Sequence, residues 1–407
     1  MITVFFVAPF LKAATQRFLH AVLAVPGARV GLMSHDRPDH LDAATKERLA
    51  AWAPMGEGLG ARAILLGAQR LQAQMGPADR LIGMLEQLQV PLAQVREELG
   101  IPGMRVDQAS NFRDKARMKE ALRAAGLPCA RHRLVRDVAS GLAFAGEVGF
   151  PVVVKPPDGA GAIATLRAGN PRELNHILGS MHPGPNNPIL VEEFVLGLER
   201  SFEVVSIDGE PVWHSLTRYS PPPLDVLRNP WIQWTVTLPR EVEDPAYDEV
   251  RRIGFAALKA LGMGTGLSHM EWFRRKDGTL AISEIAARPP GAQIMSLMAW
   301  STDRDLFAAW AELMIHGTFD PPVRQWAAGV AFFRAMGKGR VVRVHGLDEA
   351  QASVGHLVVE ASLPQVGQPK SSSYEGEGWA IVRARETATV DQALLELITK
   401  VRVELAL

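Results

Sequence analysis

The 407-residue chain has one cysteine, Cys129. That excludes an internal disulfide and any cysteine-rich zinc site. Cys129 follows a helix-stop signal and has no visible base, so it reads as a packed small side chain rather than a nucleophile. Charge of either sign is also not in excess: 44 Lys and Arg balance 44 Asp and Glu. No bulk basic field is on offer to nucleic acid or an anionic membrane. No apolar run approaches the length of a membrane span. The N-terminal stretch MITVFFVAPFLKAATQR has no basic segment before its apolar run and makes a poor secretory signal. The expectation is a soluble cytoplasmic protein of two to four domains. Internal repeats, low-complexity tracts and Ser/His/Asp or Cys/His nucleophile signatures are absent as well.

What is present centres on Gly266–Gln293, GLSHMEWFRRKDGTLAISEIAARPPGAQ. Two strand-like runs meet at Asp277-Gly278, a dipeptide suited to a two-residue type I′ turn. Counting back from that turn, Lys276 faces Thr279 and Glu271 lies opposite Glu284. Like charges directly opposed across a ladder repel, and a hard divalent cation would remove the conflict. Strand alternation puts Phe273, Ala286 and Arg288 on the same face, with Met270, Trp272, Ile285 and Ala281 on the other. An exposed meander with two hydrated glutamates is the alternative, and a one-residue slip in the turn would separate the pair.

Upstream, Thr3–Ala8 and Arg29–Ser34 read as buried parallel strands flanking a helix over Ala13–Ala24. No glycine-rich turn follows the first strand. Gly58-x-Gly60-x-x-Ala63 has dinucleotide-fingerprint spacing but does not clearly follow a strand, so it is set aside. Asn111–Gly126 reads as one amphipathic helix with Arg113, Lys115, Arg117 and Lys119 crowding its start. The helix dipole disfavours cations there, so either an anion binds or the face is solvated. In GFPVVVKPPDGAGAIATL, Lys155 ends a short strand and a Pro- and Gly-rich loop leads to another strand near 162–166. Glycines let backbone N–H groups approach an anion, although no Walker A motif closes the loop. Further on come ILVEEFVL, a hairpin about Asp208-Gly209, a Pro-rich loop over 219–224, and helices over 248–261, 303–316 and 391–403. His269-x-Glu271 matches half of a deaminase zinc signature, but no cysteine pair completes it; His269 reads as structural.

The order of these signals is more specific than any one of them. DK-x-x-MK-x-x-L-x-x-AGLP, PVVVKP-x-DGAGA, VEEFV-x-GLE and HMEWF…SEIAARPPG together resemble the ATP-grasp superfamily of carboxylate–amine ligases. The resemblance implies an α/β and α+β fold. A Rossmann-like pre-ATP-grasp domain over 1–108 would precede a two-lobed ATP-grasp domain over 109–320, its lid lobe at about 128–192, and a C-terminal α+β unit over 321–407.

It also implies roles. Lys115 and Lys155 match phosphate-contacting lysines, and Gly159 and Gly161 match the glycine-rich lid. Glu192, Glu193 and Val195 match the hinge at the adenine edge, Glu199 the ribose carboxylate, and Val153 and Phe273 the groups sandwiching the ring. Glu271 and Glu284 match the Mg²⁺ ligands, with Mn²⁺ as a substitute, and Arg288 matches the arginine that holds the reacting carboxylate. Many members carry an asparagine two residues after the second glutamate; Ala286 stands there, which puts a second metal in doubt.

The chemistry implied is ATP-dependent joining of a small-molecule acid to an amine through an acyl phosphate, with ADP and phosphate released. Amino-acid-like substrates are expected, with neither nucleic acid nor membrane as partner, and a homodimer is compatible. Two alternatives stand beside it: a catalytically silent ATP-binding subunit, and a biotin-carboxylase-like enzyme using bicarbonate. A retaining glycosidase would also use two close carboxylates but would need neither lysine nor lid.

Overall fold

A computed structural model describes residues 1–159 and 165–406. The N-terminal unit is a parallel sheet of β1 (Ile2–Val7), β2 (Ala28–Ser34), β3 (Ala51–Pro54) and β4 (Arg80–Ile82), in the order β3-β2-β1-β4. From Val4 to Val7 β1 is apolar and buried because both faces are covered. Val4 and Phe6 pack with Phe18, Leu19 and Val22 of helix Ala13–Ala24. Phe5 and Val7 pack with Ile64 and Leu71 of helix Ala61–Met75 and Leu92 and Val95 of helix Gln89–Leu99. This is the doubly wound arrangement the apolar runs predict. Gly58-x-Gly60-x-x-Ala63 does follow a strand, β3, and leads into helix Ala61–Met75; the ground for setting it aside does not hold.

The helix expected over Asn111–Gly126 is two helices, Val106–Arg113 and Lys115–Ala124. Asp114 breaks the run: its backbone is extended, and its carboxylate accepts from the amides of Ala116 and Arg117. An N-cap satisfies donors that a continuous helix would satisfy internally, so aspartate there starts a helix afresh. Lys115 thereby becomes the first residue of the second helix.

A four-stranded antiparallel sheet follows: β5 (His132–Val135), β6 (Val152–Lys155), β7 (Leu166–Ala168) and β8 (Ile189–Glu193), in the order β5-β8-β6-β7. Helices Val138–Val148 and Pro171–Met181 cover one of its faces. The strand expected near 162–166 is β7 and begins at Leu166.

The largest sheet joins β9 (Gly197–Ile207), β10 (Glu210–Ser220), β11 (Trp234–Leu238), β12 (Gly266–Arg275), β13 (Leu280–Ala286) and β14 (Ala327–Phe333). β15 (Arg340–His345) lies apart. β16 (Val358–Ser362) and β17 (Gly378–Ala384) complete the large sheet in the order β13-β12-β9-β10-β11-β14-β17-β16. β15 pairs with β18 (Arg402–Ala406), which follows helix Thr387–Lys400. The sheet runs without interruption from β11 to β14, Trp234 opposite Phe332, and so crosses residue 320. The Pro-rich stretch holds more structure than a loop: β10 reaches Ser220, and helix Pro223–Arg228 follows.

Both hairpins exist, with different turns. β9 and β10 meet at Asp208 and Gly209, with φ of 50° and 88°, as a two-residue primed turn requires. At the β12–β13 turn only Gly278 has positive φ, 86°. Arg275 N donates to Thr279 O at 2.8 Å, and Gly278 N donates to Arg275 O at 3.0 Å. The loop is therefore Lys276-Asp277-Gly278, a three-residue turn with glycine at the left-handed position. That shifts the register by one, pairing Arg274 with Leu280, Phe273 with Ala281 and Trp272 with Ile282. A β-bulge at Ser283 then takes up the extra residue, and Glu271 pairs with Glu284. Ala281 accordingly sits opposite Phe273, while Ile282 joins Trp272 in the core.

Candidate functional site

Between the four-stranded sheet and the large sheet lies a cavity of about 370 Å³. Lys115, Val153, Lys155, Gly159, Glu192, Glu193, Val195, Glu199, Glu271, Phe273, Glu284 and Arg288 all line it. Every described residue that the sequence singled out as a site residue is thus on one wall or another; Gly161 lies outside the described residues. β6 and β8 contribute Val153, Lys155, Glu192 and Glu193, the β9 start contributes Glu199, and β12–β13 contribute the opposed pair.

The charged groups interlock. Lys155 Nζ lies 3.0 Å from Glu192 Oε2, and Lys119 Nζ lies 3.4 Å from Glu192 Oε1. Lys119, wholly buried, also donates to Ser283 O at 2.7 Å. Burial pushes the Glu192 carboxyl up, but the two lysines outweigh it and the net shift is downward. Lys115 Nζ sits 3.1 Å from Glu284 Oε2 and donates to Gly159 O at 2.6 Å. Burial again opposes ionisation of Glu284, and Lys115, Lys155 and Arg288 overcome it, holding this carboxyl at about 2. Glu199 behaves in the opposite way. Burial, then the nearby Glu271 and Glu284, raise its pKa well above the ordinary carboxylate range.

A carboxyl pushed towards neutrality by burial and the neighbouring Glu271–Glu284 pair is what a divalent cation would relieve. Among the described residues no cluster of three metal-ligating side chains forms. Glu271 and Glu284 therefore fit an oxygen-seeking ion whose remaining positions are filled by phosphate and water. Ala286, where a third ligand could stand, pairs across the ladder with His269. His269 is more than packing. Its Nδ1 lies 2.8 Å from Glu203 Oε1 and its Nε2 lies 3.7 Å from Glu271 Oε1. Burial disfavours the imidazolium, but Glu203 and Glu271 outweigh it and lift His269 to about 9.

Some participants carry no local sequence signal. Glu86, on the short helical turn before helix Gln89–Leu99, accepts from Arg288 Nη2 at 2.9 Å and Nε at 3.2 Å. Arg113 Nη1 lies 3.6 Å from the same carboxylate and donates to Gly159 O at 3.1 Å. Glu193, matched to the hinge at the adenine edge, has its side chain held by Arg131 Nε at 3.0 Å and Arg275 Nη2 at 2.8 Å. The apolar end of the cavity is walled by Tyr219, Leu224, Trp234, Ile294 and Tyr374. Tyr374 is fixed through its carbonyl, which accepts from Trp234 Nε1 at 2.9 Å. Lys119 was legible only as one of four cations; its position between Met118 and Leu122, both buried, marks it as inward-facing.

No helix among the described residues is long and apolar enough to cross a membrane. No protein-family profile matches the chain. It is 27% identical over 324 residues to an uncharacterized protein, y4rH, of Sinorhizobium fredii, covering 77% of this chain and 66% of that one, just under two thirds of its length. It is 24% identical over 316 residues to the L-arginine-specific L-amino acid ligase of Bacillus subtilis, covering 74% of each. The crystal structure of an L-amino acid ligase from Bacillus licheniformis superposes with a TM-score of 0.79 at 18% identity, over 100% of this chain and 99% of that one. The fold implied by the motif order is the fold observed.

Proposed function

We propose, from the ATP-grasp superfamily to which fold and relatives assign this chain, that it is an ATP-dependent, ADP-forming carboxylate–amine ligase. The observation that supports this best is the convergence of Lys115, Lys155, Glu271, Glu284 and Arg288 on one cavity between two sheets. In this reading adenine lies between Val153 and Phe273 against the 192–195 backbone, and Glu199 takes the ribose hydroxyls. Lys155 and Lys115 neutralise the phosphates. Both are already buried against carboxylates, so little reorganisation is needed when negative charge arrives. A bound Mg²⁺, held by Glu271 and Glu284, would supply charge neutralisation on the β- and γ-phosphate oxygens.

Arg288 orients a substrate carboxylate beside the terminal phosphate. One carboxylate oxygen forms a bond to the γ-phosphorus as the bond to the ADP oxygen breaks. The amine nitrogen then attacks the acyl carbon, phosphate leaves, and the nitrogen gives up a proton as the amide forms. No side-chain nucleophile takes part, consistent with a half-buried Cys129 whose Sγ donates to the Lys119 carbonyl at 3.8 Å. The aromatic and apolar end of the cavity suits amino-acid-like substrates.

A screen of amino-acid pairs for ADP and phosphate release tests the reaction. With the correct acid and ATP, hydroxylamine should yield a hydroxamate, and Arg288→Ala should lose that product while still binding nucleotide. A productive substrate set that releases AMP and pyrophosphate would sink the acyl-phosphate route. Nucleotide binding with no turnover on any pair would favour a silent ATP-binding subunit.

A further inference from the structure

A second cavity, of about 470 Å³, lies between the N-terminal unit and the start of β12. Arg288 is the one residue it shares with the nucleotide cavity. Its walls include Arg80, Arg96, Arg105, Gln108 and Thr265. Arg96 is 6% exposed, and its one side-chain hydrogen bond among the described residues runs from Nε to Leu81 O at 2.9 Å. No carboxylate among those residues forms an ion pair with it. Gly103 makes room for this guanidinium: a Cβ there would come within 2.9 Å of Arg96 Cδ and 3.0 Å of Nε.

Arg80 is half-buried on the same wall. Its Nε donates to Ile315 O at 3.0 Å and its Nη1 to Asp79 O at 2.9 Å, with no carboxylate partner among the described residues. Arg105 is 3.6 Å from Glu97 and Arg288 is held by Glu86, so these two are already compensated. One acid faces the cavity, Asp208, whose Oδ1 accepts from Thr265 Oγ1 at 3.1 Å. Two arginines lacking carboxylates therefore stand against one aspartate. A buried charge without a counter-ion is costly. Burial alone already draws the Arg96 pKa down to about 10, with no acid pulling it back.

We infer that this cavity binds a small oxyanion, a carboxylate or a phosphate, through the guanidinium groups of Arg96 and Arg80. The planar fork of arginine suits both anions. The site is separate from the triphosphate lysines, and its single link to them is Arg288, which has Glu86 on its guanidinium. An anion here would add negative charge near the residue assigned to orient the reacting carboxylate, so the cavity can serve a second substrate's acid group or an effector. The inference stands independently of the ligase reading.

Calorimetric titration of the full chain with inorganic phosphate, and separately with acetate and succinate, tests it. Binding of at least one is expected with Kd below about 10 mM. Arg96→Met and Arg80→Met should each weaken it roughly tenfold or more, whereas Lys155→Met should leave it intact. Tighter phosphate would identify a phosphoryl ligand, and tighter acetate or succinate a carboxylate. If Arg96→Met does not fold, Arg80→Met carries the test. Absence of binding in that range overturns the inference. So does binding that survives both arginine substitutions, or that disappears in Lys155→Met, since the anion would then occupy the nucleotide cavity only.

Discussion

Lys115 Nζ lies 3.1 Å from Glu284 Oε2, so a lysine assigned to phosphate and a carboxylate assigned to metal hold each other before either ligand is present. Glu271, the cross-strand partner of Glu284, has no such lysine among the described residues; His269 is 3.7 Å away. The two glutamates should therefore differ in stability while agreeing in function. Glu284→Gln leaves Lys115 buried without its counter-charge and should cost about 3 kcal/mol. Glu271→Gln removes a repulsion and should cost less than about 1 kcal/mol. Both should abolish ATP-dependent turnover. Denaturant midpoints that move equally for the two variants would contradict the pairing.

Stability below neutral pH should carry a signature of His132. Burial, then Lys119 and Arg123, depress its pKa to about 4, and Arg123 Nη2 lies 2.8 Å from His132 Nδ1, which must accept. The unfolded chain binds this proton near 6.5 and the folded chain only near 4. His132 thus costs nothing above about 6.5, and stability falls progressively as pH drops from there towards 4. Discounted for its partial exposure, the loss should be about 1–2 kcal/mol. Unfolding of His132→Gln measured from pH 7 to 4 should show a shallower slope by that amount; an identical slope would exclude His132 as the source.

The β12–β13 turn should be sensitive at one position. Gly278→Ala places a Cβ at φ 86° and should cost at least about 1 kcal/mol. Lys276→Ala, in the same loop without positive φ, should be within about 0.5 kcal/mol of the parent. A two-residue primed turn would put positive φ at Asp277 as well, so stabilisation by Asp277→Gly would argue against the turn described.

Gly159 O accepts from both Lys115 and Arg113, at 2.6 and 3.1 Å. A terminal phosphate competing for Lys115 must change those contacts. Amide exchange at Asp158 and Gly159 should slow under saturating Mg²⁺-ATP as the bound phosphates rearrange those contacts. Exchange that does not change on saturation would argue that Asp158 and Gly159 do not respond to nucleotide.

How much of this was legible beforehand depends on distance along the chain. The Glu271–Glu284 pairing could be counted from the turn, yet by a route the structure corrects. The turn is one residue longer than the Asp277-Gly278 dipeptide suggests, and the bulge at Ser283 restores the register. Turn chemistry is local and readable, whereas a bulge answers to what packs on either face. Asp114 shows the same limit: hydrophobic spacing runs on through it, but its side chain reaches the amides two and three residues ahead and restarts the helix. Glu86 was invisible because nothing beside it in sequence announces chemistry. Its meaning comes from Arg288, 202 residues away. The charge of Lys119 was noticed, but its pairing with Glu192 follows only from the fold bringing β8 within reach of its ammonium.

The continuity of the large sheet bears on how this chain can be recombined with its relatives. β11 exchanges main-chain bonds with β14, and β14 with β17, so the residues after 320 are woven into the strands that carry Glu199 and Glu271. A chimera with a crossover near 320 would have to rebuild a strand interface from two unmatched parents. The β5–β8 sheet is a ladder of its own, with no named strand paired to the larger one. Exchange of that block, from about 131 to 193, breaks no ladder between named strands and leaves the Cys129–Ile282 bridge with the recipient, so it is the crossover that grafts should use.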